Sequence, residues 1–123
     1  NFIFGFDEDK PDIFKKTMDF IYKYKLDLAE FNILVPNPGT PLFDQLKKEK
    51  RILTCDWSLY DFAHVVFQPK NMSTEDLLNG TNDANNEFFS KHQTLKRILR
   101  CFGRSNYSFL TTGLENMFRC MLN

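Results

Sequence analysis

Two short apolar segments, each followed by a residue that breaks regular structure, constrain this chain more than any other feature. Residues 1–4 are almost entirely apolar and stop at Gly5, and residues 28–35 end in branched apolar side chains before Pro36. Apolar runs bounded in this way are typical of strands that are buried on both faces of a parallel sheet. The segment between them is long enough for a right-handed crossover, so the sequence predicts a βαβ unit.

The crossover has the pattern of an amphipathic helix, which we expect from about Pro11 to Lys25 because proline suits the first helical position. Four apolar side chains recur at helical spacing along one face of it: Phe14, Met18, Ile21 and Tyr22. An aromatic stripe of this kind is far more often core packing than a cofactor-binding surface.

The segment Gly5–Glu8 is a candidate binding edge, because ligands bind at the carboxyl ends of strands in open α/β sheets and in (β/α) barrels alike. Gly5 has no Cβ, so a ligand or another backbone can come close to it. The predicted topology places Val35 at the same edge of the sheet. Spacing alone favours the alternative, an ordinary buried strand that ends in a solvated acidic loop.

The composition is that of one folded domain, with 123 residues of which 42% are hydrophobic and 14 are phenylalanine. The 16 basic and 16 acidic residues cancel, which gives no reason to expect nucleic-acid binding. No apolar run approaches the roughly 18 residues of a membrane span, and the first residues lack the basic lead of a signal peptide. The chain also lacks an initiator Met and starts within a strand, so we expect it to be a piece of a longer protein.

The three cysteines, Cys55, Cys101 and Cys120, are far apart and form no Cys-x-x-Cys pair. This spacing argues against a local zinc or iron–sulfur site and against a disulfide framework. A reducing cytoplasm is the simplest compartment for such a chain. His64 has no second metal ligand near it in sequence, so we interpret it as a hydrogen-bonded structural residue, and His92 as an exposed one.

The turn at residues 36–41 is the strongest break in the chain, because its prolines and its glycine fix a rigid conformation. Thr40 is a good N-cap for the helix that follows, and Pro41 takes its first position. This helix is expected to end near Lys50.

The second half of the chain is predicted to wrap over this unit and then to become helical. Short extended segments are expected at residues 52–54 and 63–67. Ser73 and Asp76 have the spacing of a capping box, so a helix should begin there and weaken at residues 79–82, which are poor helix formers.

An amphipathic pattern then resumes, with apolar residues on one side and basic residues on the other. The apolar residues are Ala84, Phe88, Phe89, Leu95, Ile98, Leu99 and Phe102. The basic residues are Lys96, Arg97, Arg100 and Arg104. We interpret the basic side as a solvated face, in preference to a phosphate or partner site. Gly103 is a natural helix stop, and a last helix is expected from about Tyr107.

Residues 1 to about 75 resemble the C-terminal part of the radical S-adenosylmethionine barrel. The closest likeness is to the enzymes with an N-terminal cobalamin-binding domain, including the hopanoid and bacteriochlorophyll-type group. That family has a Gly-x-Ile-x-Gly-x-x-Glu motif on its fifth barrel strand. In this chain Ile3, Gly5 and Glu8 match the motif, whereas Asn1 replaces its first glycine. The Pro-x-Pro-Gly-Thr-Pro-Leu turn after the family's sixth strand is matched in full by residues 36–42.

The resemblance implies roles for six residues of a cofactor-binding edge. Ile3 would pack on the adenine of S-adenosylmethionine, and Gly5 would let the nucleoside approach. Glu8 would support the loop without taking part in the chemistry. Backbone groups near Leu34, Val35 and Pro36 would hydrogen-bond the adenine edge.

The family's cluster-binding Cys-x3-Cys-x2-Cys motif does not occur in this chain. By the resemblance, S-adenosylmethionine is the cofactor, and a 4Fe–4S cluster and cobalamin would enter only through segments missing here. The partners would be the missing N-terminal part of the same enzyme and a small-molecule or lipid-like substrate. The chain alone is therefore expected to be inactive and to contain no metal-binding or catalytic residue of its own.

The predicted fold class is α/β, with C-terminal βα units of a partial (β/α) barrel followed by a mostly helical extension. Residues 1–50 would form the last barrel strands and helices, and residues 51–123 the wrapping segment and helical extension. Two other interpretations stay open at this stage. One is a non-catalytic helical binding module, and the other is a small self-contained α/β domain of flavodoxin type.

Overall fold

The computed structural model describes residues 1–102, with side chains through Arg100, and within this range the chain is an α/β fold with four α-helices and a small parallel sheet. The strands are β1 (Phe2–Phe4) and β2 (Phe31–Ile33), and the helices are α1 (Ile13–Tyr24), α2 (Pro41–Lys48), α3 (Thr74–Phe88) and α4 (Lys91–Phe102). A single 3-10 turn spans Trp57–Leu59. None of the helices in this part of the chain combines the length and the apolar character needed to cross a membrane. Our expectations for Gly103, Arg104 and a last helix from Tyr107 lie outside the described residues.

The predicted βαβ unit is confirmed. β1 and β2 are parallel neighbours, with Phe2 opposite Phe31 and Phe4 opposite Ile33. The ladder continues past the strand ends, since the Leu34 N–H donates to the Phe4 carbonyl at 2.8 Å. The carboxyl ends of both strands therefore lie at one edge of the sheet, as the topology predicts.

The two faces of the sheet differ, so the expectation that β1 is buried on both faces is wrong for the described residues. Phe4 and Ile33 point to the helix side and are each 1% exposed. Ile3 is on the opposite face and is 42% exposed. Because side chains alternate along a strand, Asn32, which lies opposite Ile3, is on this open face as well. Leu34 lies beyond the end of β2 and packs in part against the buried residues that include Phe4 and Ile33.

The outer edge of β2 is covered by a loop from the second half of the chain. The Ile33 N–H donates to the Phe62 carbonyl at 2.8 Å, and Phe62 has a left-handed φ of 67°. The strand predicted at residues 63–67 is absent apart from one antiparallel bridge between Phe67 and Ile52. The reason is local, since the Asp61 carboxylate accepts hydrogen bonds from the Ala63 and His64 N–H groups and so holds a turn there.

Two helices, α2 and α3, start with the predicted capping chemistry, and α1 is an exception. The Thr40 hydroxyl accepts a hydrogen bond from the Phe43 N–H at 3.3 Å, with Pro41 at the first helical position, as predicted. Ser73 and Asp76 form the predicted capping box. The exception is α1, which begins at Ile13, two residues after Pro11, because the Asp12 carboxylate pairs with Lys16 at 2.7 Å instead of capping the helix.

Helix α3 does not weaken at residues 79–82, so that expectation is wrong. The helix runs without a break through Gly80, which lies against the ring of Phe14 on α1. A Cβ added to Gly80 would stand 2.2 Å from Phe14 Cε2. Tertiary packing thus overrides the low helix propensity of glycine, which is the residue that lets the two helices approach this closely.

Helix α4 presents a different face to the core from the one its apolar pattern predicts. Thr94 and Arg97 are each 3% exposed, whereas Leu95 and Leu99 are mostly exposed. The Arg97 guanidinium lies 3.9 Å from the centre of the Phe88 ring, a cation–π contact, and Nη2 donates to the Thr94 hydroxyl. Arg97 is therefore a core residue, and our interpretation of it as part of a solvated basic face is wrong.

The helices and the second half of the chain complete the core on the helix side of the sheet. Helix α3 packs against β2 and α1. One buried cluster joins the two strands and α2 to residues from beyond position 50: Phe4, Ile33, Leu46, Val66, Phe67, Met72 and Leu77. A second cluster lies between α1 and α3: Met18, Ile21, Ala29, Ala84, Phe88 and Phe89. The two predicted segments, residues 1–50 and 51–123, thus share a core, and the division between them stays a prediction.

The close contact at Gly80 gives a first prediction. Gly80→Ala should lower the free energy of unfolding by about 1–3 kcal/mol, the usual cost of overpacking, although alanine is the better helix former. Phe14→Leu should be less harmful in the Gly80→Ala background than in the wild type, because the smaller side chain removes the clash. Chemical unfolding of the four proteins would measure this coupling. Asn79→Ala, at an exposed neighbouring position, is the control and should be close to neutral.

Candidate functional site

The carboxyl edge of the sheet brings together most of the predicted site residues. The parallel register sets Gly5, which follows β1, beside Leu34, which follows β2. Val35 and Pro36 come next along the chain at the same edge, and Ile3 lies just inside it on the open face. Glu8 is farther along, in the exposed part of the loop after Gly5.

The accessibility of these residues separates them into two groups. Gly5, Val35 and Pro36 are buried by the chain's own residues. Leu34 is half-buried, and Ile3 and Glu8 are exposed. The half-buried and exposed residues can therefore contact a ligand at this edge with their side chains. The buried residues can contribute only backbone groups. The assignment of cofactor contacts to these six residues stays a prediction.

Gly5 is constrained by packing within this chain. Its φ of 110° lies in the region that residues with a Cβ rarely adopt. A Cβ there would stand 3.1 Å from Leu77 Cδ2 and 3.1 Å from Phe67 Cζ. Side chains from the second half of the chain, Leu77 and Phe67, therefore lie close to the Gly5 backbone, where we expected a ligand or another backbone to approach.

Asp9 holds the loop after β1. Its carboxylate accepts hydrogen bonds from the N–H groups of Gly5 and Phe6, at 2.9 and 3.0 Å. Sequence reasoning gave loop support to Glu8 and missed Asp9. The signal was available, since an aspartate just after a glycine turn commonly accepts hydrogen bonds from nearby backbone N–H groups.

Arg51 connects this loop to the rest of the molecule. Its Nη2 donates to Asp7 Oδ1 at 2.7 Å, its Nη1 to Glu49 Oε2 at 2.8 Å, and its Nε to the Gln68 carbonyl at 2.8 Å. The Arg51 side chain is 13% exposed. These hydrogen bonds hold the pKa values of Asp7 and Glu49 below their usual range, and the bond to Asp7 raises the pKa of Arg51.

The open face fits one part of the implied cofactor and not another. Ile3 offers exposed apolar surface directly opposite the polar Asn32, a combination suited to a flat ring with a polar rim. The residues whose side chains are described, 1–100, do not fit a 4Fe–4S cluster, because they hold no group of His, Cys, Asp or Glu that could bind a metal ion. The sole cysteine with a described side chain, Cys55, is exposed and free.

Two further features lie apart from this edge. His64 Nδ1 is hydrogen-bonded to the Asp61 carboxylate at 2.9 Å, so the interpretation of His64 as a hydrogen-bonded residue is confirmed. His92 is exposed, as expected. A cleft of about 340 Å³ between α1 and α4 is lined by apolar and basic side chains that include Lys25 and Lys96. The cleft contains none of the six predicted site residues.

Comparison with known proteins supports the resemblance seen in the sequence. A family model described as "Domain of unknown function (DUF4070)" matches residues 40–118. The chain is similar to the bacteriochlorophyllide d C-12(1)-methyltransferase of Chlorobaculum tepidum, with 37% identity over 79% of this chain and 21% of that protein. It is also similar to the anaerobic magnesium-protoporphyrin IX monomethyl ester cyclase of Cereibacter sphaeroides, with 29% identity over 73% of this chain and 14% of that protein.

A third relative is an uncharacterized methyltransferase of Pyrococcus horikoshii, with 27% identity over 77% of this chain and 21% of that protein. The chain therefore spans about a fifth or less of the length of these relatives. No solved structure gives a significant match.

The Asp7–Arg51 pair predicts a pH-dependent contribution to stability. The pKa of Asp7 is lowered in the fold. The stabilisation of the fold by ionised Asp7 is therefore complete above the ordinary carboxyl pKa of about 3.9. It is lost as the pH falls through the lowered value. Asp7→Asn should lower the free energy of unfolding by about 1–3 kcal/mol near neutral pH, as for hydrogen bonds to charged groups.

Unfolding of the full-length protein and of the variant should be compared from neutral to strongly acid pH. The difference in free energy should shrink as the pH falls below that carboxyl pKa; a constant difference would show that the charge is not its source. Asp19→Asn is the matched control, because the Lys15–Asp19 pair is largely exposed and such pairs contribute little.

Proposed function

Since the chain belongs to the family described as Domain of unknown function (DUF4070), and its relatives include a methyltransferase and an anaerobic cyclase, we propose that it is the C-terminal part of a radical S-adenosylmethionine enzyme. In this proposal the chain supplies part of the adenosine-binding wall. The segments that precede it hold the 4Fe–4S cluster, at which S-adenosylmethionine is reductively cleaved. Methyl transfer linked to cobalamin is the reaction we favour for the whole enzyme, because two of the three relatives are named as methyltransferases.

The open edge of β1 is the observation that carries the proposal. Within residues 1–102, β2 is the only strand that pairs with β1. The Phe2 N–H and the Phe4 carbonyl bond to β2, so by the parallel ladder the backbone groups of Ile3 point to the other side. An open strand edge of this kind is a template for a further strand.

The flank of α1 next to this edge is also open and apolar. α1 contacts α3 through Phe14 and Tyr22, and the helical spacing puts Phe20 and Tyr24 on the far flank. Phe20 and Tyr24 contact each other with ring centres 4.7 Å apart, yet they are 47% and 58% exposed. A preceding strand and helix would cover both the edge and the flank, which is the arrangement of successive βα units in a barrel.

The residues at the carboxyl edge take the roles that the resemblance implies. Ile3 would pack against the adenine, and Asn32 extends the same open face beside it. Backbone groups near Val35 and Pro36 would bond the adenine edge. Gly5 keeps the edge clear of a side chain of its own, and the loop after it is held by Asp9.

The two alternative interpretations have less support. A self-contained domain of flavodoxin type needs a sheet of several strands, and a two-stranded sheet is marginal by itself. A non-catalytic helical module does not require the matched parallel strands, the Gly5 turn and the Pro36–Leu42 turn to occur together. A cofactor-binding measurement separates both alternatives from the proposal.

The proposal predicts that Ile3→Asp abolishes S-adenosylmethionine binding in the full-length, cluster-loaded enzyme. An unpaired carboxylate on the open face would be desolvated against the adenine. Ile3→Leu, which keeps the apolar surface, should bind like the wild type, and Glu8→Gln should have little effect. Calorimetry under anaerobic conditions is the measurement, with Lys96→Ala on α4 as the distant control. Unchanged binding by a folded Ile3→Asp protein would refute the adenosine wall.

Gly5 is a poor probe of the cofactor, although it is the least replaceable residue of the loop. Gly5→Val would clash with Leu77 and Phe67, so lost binding in this variant would reflect a damaged fold as well as a blocked approach. Ile3 is exposed and belongs to neither buried cluster, so its substitution disturbs the packing of this chain less than that of Gly5.

The open edge and flank predict that residues 1–123 expressed alone associate. An apolar flank beside an open strand edge is the kind of surface that pairs with another chain. The double variant Phe20→Lys, Tyr24→Lys should shift the chain toward a monomer in sedimentation velocity, because it places charge on the flank. A monodisperse wild-type monomer with a sharp thermal transition would favour a self-contained domain.

A further inference from the structure

We propose that Arg51 is a positioning residue for the cofactor edge: by bracing Asp7 it fixes the loop formed by residues 5–9, and so it sets the affinity of the whole enzyme for S-adenosylmethionine. This inference rests on the proposed function. Arg51 lies in the DUF4070 segment, residues 40–118. This segment would therefore hold the shape of the loop formed by residues 5–9, which precedes it in the chain.

The brace joins three parts of the chain at one guanidinium. Asp7 comes from the loop after β1, Glu49 from the end of α2, and the Gln68 carbonyl from the segment before α3. The backbones of Arg51 and Gln68 are also joined directly, because the Gln68 N–H donates to the Arg51 carbonyl at 2.7 Å. The guanidinium is therefore held on a fixed frame.

A second contact ties the same loop to the same segment. The Asn71 side-chain amide donates to the Asp7 carbonyl. Both the side chain and the backbone of Asp7 are thus bonded to residues from beyond position 50. Lys70 also lies near Asp7 and adds an attractive charge.

Asp7 is only two residues from Gly5, so the restraint on Asp7 also restrains the edge of the sheet. Asp9 bonds the N–H groups of Gly5 and Phe6, so the loop closes on itself between Gly5 and Asp9, with Asp7 at its middle. Leu77 and Phe67 pack against Gly5 from the same side of the molecule. Releasing Asp7 would free the middle of the loop while leaving these apolar contacts in place.

The geometry suits arginine and not lysine. Three nitrogens of one planar group donate at once to two carboxylates and a carbonyl, in directions that the rigid fork fixes. A lysine ammonium would keep the charge beside Asp7 and would lose the fixed set of three bonds. Arg51→Lys should therefore rescue only part of what Arg51→Ala loses.

Binding of S-adenosylmethionine to the full-length, cluster-loaded enzyme is the first test, by anaerobic calorimetry. Arg51→Ala should raise the Kd on the order of tenfold, as expected when a small displacement of a positioning group costs about 1.4 kcal/mol. Asp7→Asn should do the same, and Arg51→Lys should lie between these variants and the wild type. The double variant Asp7→Asn, Arg51→Ala should be no worse than Arg51→Ala alone, because Arg51→Ala has already removed the pair that Asp7→Asn weakens.

Met18→Ala is the matched control for stability. Met18 is buried in the cluster between α1 and α3, away from the loop, so its truncation lowers the melting temperature without releasing Asp7. It should leave the Kd unchanged. If Met18→Ala, at a comparable loss of melting temperature, raises the Kd as much as Arg51→Ala, then Arg51 acts through stability alone and the proposal is overturned.

Hydrogen exchange of the cofactor-free protein is the second test and needs no bound ligand. Arg51→Ala and Asp7→Asn should both speed exchange in a peptide covering residues 5–9 and leave the α1 peptide unchanged. Unchanged exchange in residues 5–9 would overturn the brace. If Arg51→Ala does not fold, Asp7→Asn and Arg51→Lys decide both tests by the same criteria.

The outcome separates this inference from the proposed function. If Ile3→Asp abolishes binding and the Arg51 and Asp7 variants bind like the wild type, the edge binds the cofactor and the brace fails. If Ile3→Asp binds normally while exchange in residues 5–9 still depends on Arg51, the proposed function fails, and the role of Arg51 in cofactor affinity fails with it, whereas the brace of the loop stands.

Discussion

The packing of residues from beyond position 50 against a two-stranded sheet is the constraint on which the rest of the structure depends. Two parallel strands of three residues each do not bury enough apolar surface to be stable alone. Phe67, Leu77 and Val66 fill the helix side of the sheet together with Phe4 and Ile33. The DUF4070 segment is therefore part of the core that holds the strands, and it also meets the carboxyl edge at Gly5.

This dependence explains the two glycines that matter most. Gly80 lets α3 lie against Phe14 on α1, and Gly5 lets Phe67 and Leu77 lie against the end of β1. At both positions the absence of a Cβ leaves room for a contact between elements that are distant in sequence. A glycine next to a predicted binding edge can thus be required by internal packing even where a ligand also approaches, and substitution of the glycine alone does not distinguish the two.

Local chemistry made part of this fold predictable. The parallel βαβ unit follows from two apolar runs and an amphipathic crossover, and the starts of α2 and α3 follow from Thr40 and Ser73. These signals act within a few residues. What the sequence did not reveal depends on partners far along the chain: the buried Arg97 needs the ring of Phe88, and the uninterrupted α3 needs Phe14. At the site, local signals made the shared edge and the hydrogen bonds of Asp9 predictable. Those that join Arg51 to Asp7 and Gln68 were not, because these partners are distant in sequence.

The orientation of α4 shows why hydropathy alone assigned the wrong face. A guanidinium can be buried where an aromatic face receives its charge and a hydroxyl accepts from its N–H groups, and Phe88 and Thr94 provide both for Arg97. The same planar group, at the partly buried Arg51, is held by two carboxylates and a carbonyl. In both cases the arginine joins two elements of the fold through contacts of fixed direction. An apolar side chain could join the same elements but would not fix their relative orientation. Where a loop must keep one shape beside a binding edge, that directional contact is what apolar packing by itself does not supply.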